Sequence, residues 1–128
     1  HHKVGQHFEL HEFQSNDGSF AVLLHPRLVW GLDRLRIESG GAVYINRGYS
    51  THAHNASIPG AADESRHLWG MASDVVSAVW SQRRVQRWAI KKNWGGIGFY
   101  EWGTHVDVQG QHRRWGPIMN EVMQEVVR

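Results

Sequence analysis

The sequence predicts an α+β domain. Three observations lead there: a helical apolar stripe within residues 24–41, two β-rich runs in direct succession at 97–101 and 104–108, and an amphipathic segment after Pro117. Strands that follow one another without an intervening helix argue against a wholly parallel sheet. The 128 residues fit one domain large enough to bury a core of its own. His1-His2 read as a tag remnant, and residues 3–128 as one continuous domain without internal repeats or low-complexity linkers.

Each element has its own local reason. In the first helix Pro26 suits the opening turn, Leu28, Leu32 and Leu35 recur at i, i+4 and i+7 with Val29 beside them, and Gly40-Gly41 stop it. Residues 42–47 form a β-rich run bounded by Gly48, and residues 50–64, with Asn55, Pro59 and Gly60, carry no period and read as a loop. The Val-rich stretch 72–78 reads as a second strand. Residues 80–93 read as a helix with Val85, Trp88 and Ala89 inward, ending at Asn93 before Gly95-Gly96. The two short strands follow, and the last helix places Ile118, Val122 and Val126 on one face. Trp30, Trp80 and Trp88 fall on the predicted helices and read as core.

Composition narrows the chemistry by exclusion. With no cysteine among 128 residues, disulfides, thiolate catalysis, thiolate zinc sites and iron–sulfur clusters are ruled out. A metal here must be held by His, Asp or Glu, and eight of the ten His lie beyond the first two positions. The longest apolar run, residues 20–24, is far too short to span a bilayer, and no leader pattern is visible. Arg83, Arg84, Arg87, Lys91 and Lys92 make a basic helix face, which reads as solvated because no nucleic-acid motif accompanies it. Neither a nucleic acid nor a membrane span is expected.

Two stretches carry polar residues where packing alone would not put them: Ser65 to Asp74 and Gly103 to Val108. Donor atoms of one zinc lie within about 2.2 Å of it, so they nearly touch one another. On a regular helix or a single strand His67 and Asp74 cannot meet, but a break at Gly70 allows it. His105 and Asp107 alternate with Val106 and Val108 and so share one strand face. His67, Asp74 and His105 are the candidate ligands of a three-ligand zinc site with an open position for water, the alternative for each pair being an ordinary hydrogen-bonded surface or core contact. Asp107 is the first candidate for the base that takes the water's proton, with Glu101 in reserve. Trp69 and Trp102, beside the ligands, are the two tryptophans placed near a substrate.

The pattern Ser-x-His-x-x-Gly-x-Ala-x-Asp, filled by Ser65, His67, Gly70, Ala72 and Asp74, resembles the zinc signature of the D-Ala-D-Ala carboxypeptidase and murein endopeptidase metallopeptidases. Their fold is shared with the hedgehog signalling domain. The downstream run from Gly95 to Tyr100, then His105 to Val108 and Arg114-Trp115, is similar to the small single-domain branch of that family, as is the opening from His7 to Phe13. Arg34 to Arg36, Gly48-Tyr49 and His54-Asn55 also fall in register. The resemblance implies an antiparallel sheet with flanking helices, zinc on His67, Asp74 and His105, and a D-amino-acid-containing peptidoglycan stem peptide as substrate. It leaves the setting as a cell envelope or a phage-type lysin.

The sequence departs from the family twice. The position three before His105, where many relatives carry the base, is Trp102. Where relatives tend to have Gly-Tyr-Arg-Ser, the chain reads Gly48-Tyr49-Ser50-Thr51, with Arg47 just before. Arg47 can grip a substrate carboxylate only if the strand end re-aims it; otherwise an endopeptidase is favoured over a carboxypeptidase. The rival of a different class is a non-catalytic zinc-binding module of the same fold.

Overall fold

Helix α1 (Pro26–Ser39) begins and ends where local chemistry dictates. The His25 ring caps it by accepting the Arg27 amide at 3.1 Å, Pro26 occupies the first turn, and Gly40 takes the left-handed φ of 74° that closes a helix. The computed structural model describes residues 3–17, 24–48 and 70–127. Within them the order is β1 (Lys3–Val4), β2 (Phe8–Glu9), a 3₁₀ turn (Leu10–Phe13), α1, β3 (Val43–Arg47), β4 (Ala72–Ser77), α2 (Gln82–Lys91), β5 (Gly96–Phe99), β6 (Thr104–Asp107), β7 (Arg113–Trp115) and α3 (Met119–Val127). The predicted loop 50–64 lies outside the described residues.

The expected α+β architecture is present. The main sheet runs β3-β4-β6-β5-β7, antiparallel except at its edge, where β7 pairs parallel to β5. The sequence gives no sign of β7, nor of the two-residue hairpin β1–β2. Helix α2 starts later than its apolar pattern suggests, because the Ser81 hydroxyl accepts the Arg84 amide at 3.2 Å and leaves Trp80 outside. It ends at Lys91, two residues short of the expected Asn93, which follows in a turn with a left-handed φ of 58°.

One apolar core lies between the helices and one face of the sheet. Leu28, Leu32 and Leu35 from α1 and Val85, Trp88 and Ala89 from α2 pack in one cluster with Val75, Val106, Ile97 and Phe99 from the strands. Ile118 and Val122 close it from the last helix. Trp30 departs from its expected place. A helix turns about 100° per residue, so position 30 points away from the Leu28–Leu32–Leu35 stripe, and the indole is 69% exposed.

Two buried polar side chains tie outlying segments to this core. Asp33 of α1 accepts the amides of Gln6 and His7 at 2.9 and 3.1 Å, fixing the N-terminal arm. Gly5 bends the arm with a φ of 63°, and a Cβ there would come within 2.2 Å of the Asp33 carboxylate. Gln86 of α2 donates to the carbonyls of Tyr100 and Gly103 at 3.0 and 3.3 Å, holding the β5–β6 turn that carries Trp102.

Candidate metal centre and substrate face

Strand pairing lines up two rows of residues on the sheet face opposite the core. Asp74 pairs with His105; beyond Asp74 lies Arg47 on β3, and beyond His105 lie Gly98 on β5 and Trp115 on β7. One step along, Ala72, Asp107, Gly96 and Arg113 form the neighbouring row. Directly paired residues share a face, and residues two apart on a strand do too, so both rows open on the same side. The intervening Val75, Val106 and Ile97 are buried in the core.

His105 stands between two carboxylates. Its Nδ1 is 3.0 Å from Asp74 Oδ1 and its Nε2 is 3.0 Å from Asp107 Oδ2. Burial alone would lower the His105 pKa, but hydrogen bonds to Asp107 and Asp74, together with their charges, outweigh it and raise it. Asp107 is fully buried, and its oxygens are well occupied. Oδ1 accepts the amides of Gly96 and Gln109 at 2.7 and 3.2 Å, and Oδ2 accepts from Arg113 at 2.8 Å as well as facing His105. Burial would push this carboxyl up, yet His105, the Gln109 amide and Arg113 hold it below the ordinary aspartate value.

Two glycines make room for this arrangement. A Cβ on Gly96 would fall 2.1 Å from Asp107 Oδ2, and one on Gly98 would fall 3.0 Å from the His105 Cβ and 2.8 Å from the Tyr100 ring. Sequence reasoning reads Gly96 as a helix stop and Gly98 as an ordinary strand position, although Gly-x-Gly facing His-x-Asp across a ladder is the visible signal. Arg113 is also missed, since attention falls on Arg114. The Arg114 guanidinium instead donates to the carbonyls of Gly95 and Arg113 at 2.7 and 3.0 Å.

Arg47 reaches the site row because β3 is irregular. Ile45 pairs with Val75, while Arg47, two residues on, pairs with Asp74 only one residue away on β4. That bulge adds one residue, Asn46, and moves Arg47 from the core face to the face of Asp74. Its guanidinium pKa is lowered by burial and partly restored by the Asp74 charge.

At the other side of His105 the sheet carries aromatic rings. Trp115 lies 4.9 Å from the His105 ring and donates its Nε1–H to the Tyr100 hydroxyl at 2.8 Å. Tyr100 in turn stacks on Trp102 at 4.9 Å, and Trp102 is 55% exposed at the outer end of the file. Glu101, the reserve base, is drawn toward the helices, where Arg83 binds it at 3.3 Å and also holds Glu121 at 2.7 Å. His67, Ser65 and Trp69 lie outside the described residues, so of the expected metal set the structure brings together Asp74 and His105.

No group of three or more His, Asp or Glu side chains suited to a metal occurs among the described residues. The pair that is present fits zinc in donor type and spacing. Two donors about 2.05 Å from a tetrahedral ion lie roughly 3.3 Å apart, close to the Asp74–His105 separation of 3.0 Å. A histidine whose one ring nitrogen faces a carboxylate, leaving the other beside a second oxygen donor, has the donor types that zinc takes. The family model for peptidase M15 matches residues 6–109, and the chain belongs to that family of zinc-dependent metallopeptidases. No curated protein and no solved structure is matched. None of the described helices is long and apolar enough to cross a membrane.

Proposed function

We propose that the protein is a zinc peptidase that hydrolyses a peptide bond in bacterial peptidoglycan stem peptides, acting at an end with a free carboxylate. The observation that carries this reading is the His105 ring set between Asp74 and Asp107 on the open sheet face of an M15 chain. His67, Asp74 and His105 would hold the metal, His105 through Nδ1. Zinc, when bound, supplies Lewis acidity toward the scissile carbonyl and lowers the pKa of water.

The chain's own residues have separable tasks. With Asp107 accepting the His105 Nε2–H, the Nδ1 that faces Asp74 would give its lone pair to the metal in place of the proton it shares with that carboxylate. With its oxygens shared among Gly96, Gln109, Arg113 and His105 and its pKa low, Asp107 is a weak proton acceptor. Its surroundings therefore favour positioning His105 over acting as the base. The bulge that puts Arg47 beside Asp74 supports a grip on a substrate carboxylate, and so a carboxypeptidase over an endopeptidase. Ser65, Trp69 and Trp102 are assigned to the substrate rim.

Zinc-loaded protein incubated with defined muropeptides should release a C-terminal residue detectable by mass spectrometry. His67→Ala and Asp74→Ala should abolish release, and Arg47→Ala should raise KM at least about tenfold, a loss of roughly 1.4 kcal/mol of carboxylate binding. Cleavage only within cross-linked peptides would favour the endopeptidase. Wall binding without any released fragment would favour the non-catalytic module.

A further inference from the structure

We propose a second ligand site on the helix side of the sheet, a cavity between α1 and the end of α2 that binds an acidic saccharide. The cavity has a volume of about 830 Å³ and is lined by Arg27, Trp30 and Arg34 of α1 and by Trp88, Lys92 and Trp94 from α2 and the turn after it. That is ample for a di- or trisaccharide-sized ligand. Val108, Gln109 and Gly110 also line it; Asp74, His105 and Asp107 do not, although the Gln109 amide bonds Asp107 behind it, and the site does not rest on the peptidase reading.

Its floor is aromatic and closely built. Trp88 and Trp94 are nearly buried, with ring centroids 6.1 Å apart. Gly31 lets the Trp94 ring approach α1, because a Cβ there would sit 2.5 Å from the indole. Trp30, by contrast, is the most exposed large apolar side chain among the described residues, at 69%. Its indole stands open at the mouth of the cavity.

The rim is cationic and organised. Glu38 accepts the Trp88 Nε1–H at 3.2 Å, pairs with Lys92 at 3.2 Å and lies 3.7 Å from the Arg34 Nε. One carboxylate thus holds an indole and two cations from both helices, and Arg27 adds a third cation one turn from Trp30. Among the described residues no Asp or Glu lines the cavity, and the three cations outnumber the one carboxylate, Glu38, that pairs with two of them from behind.

A flat indole beside a guanidinium fork matches a ligand with both an apolar ring face and a carboxylate. The C–H face of a pyranose stacks on Trp30, while Arg27, Arg34 and Lys92 take the acid group. A simple anion would leave Trp30 unused, and a neutral sugar would leave the cations unused.

Titration calorimetry of the full chain with trigalacturonate, chitotriose and tripolyphosphate separates these requirements. Trigalacturonate should bind at least about tenfold more tightly than either other probe, and Trp30→Ala and Arg27→Ala should each weaken it about tenfold or more. His105→Ala should leave its affinity unchanged. Thermal melts of Trp30→Ala, a surface change, check that the variant is folded. Absence of trigalacturonate binding overturns the proposal. Equal binding of tripolyphosphate, insensitive to Trp30→Ala, would reduce the site to an ordinary basic surface. Equal binding of chitotriose would make it a neutral stacking platform, and loss in His105→Ala alone would place the ligand at the metal centre.

Discussion

Both ring nitrogens of His105 face carboxylates, and the two contacts do different things. The Asp74 contact faces the proposed metal position, whereas Asp107 holds the ring at its other nitrogen and is itself anchored by Arg113 and two amides. Asp107→Asn should therefore lower zinc affinity about 10- to 100-fold, measured by competition with a chelator, while leaving the fold intact. A pH–rate profile displaced along the pH axis, instead of merely scaled down, would mark Asp107 as the proton acceptor after all. At this scale the sequence already showed His105 and Asp107 on one face, because strand alternation is a local rule. It could not show Arg113, whose approach to Asp107 depends on β7 joining the sheet.

Among the elements, those with apolar periodicity were legible and those built on long-range pairing were not. Helices α1 and α2 announce themselves through leucine and valine spacing and through Gly40 and Asn93 near their ends, while the Ser81 cap that starts α2 was passed over. Strand β7 is three residues, Arg-Arg-Trp, with no alternation to detect, and it exists only by pairing with β5. The bulge at Asn46 is equally silent, since nothing in Val-Tyr-Ile-Asn-Arg demands it. Trp30 was different. Its place opposite the leucine stripe was readable from helix geometry, and its size alone suggested burial. Strand β5 provides a direct test of how tightly the site face is built. Gly96→Ala should displace the Asp107 carboxylate, lowering stability by about 1–3 kcal/mol in denaturant unfolding and weakening zinc binding with it.

Across the whole molecule, the helix layer is held to itself by charge as well as by the core. Glu38 joins α1 to α2 through Trp88 and Lys92, and Arg83 and Arg87 of α2 join α3 through Glu121 and Glu125. Burial would raise the Glu38 pKa, but hydrogen bonds from Lys92 and Trp88 and the charges of Lys92 and Arg34 bring it below the ordinary value. A depressed carboxylate contributes stability above its unfolded pKa of about 4.3 and loses it as pH falls through the lower folded value. Wild-type protein should thus exceed Glu38→Gln by about 1–2 kcal/mol at neutral pH, from one charged hydrogen bond and surface pairing. Urea unfolding across the acid range should find that gap closing below about pH 4.

Strand β6 carries the two halves of the protein on alternate letters. Thr104 and Val106 belong to the interior, His105 and Asp107 to the open face, and four residues hold both. Inserting or deleting a single residue inside it would exchange the two sets, burying the imidazole and carboxylate and exposing the valine. Within β6 the reading frame is therefore fixed in steps of two.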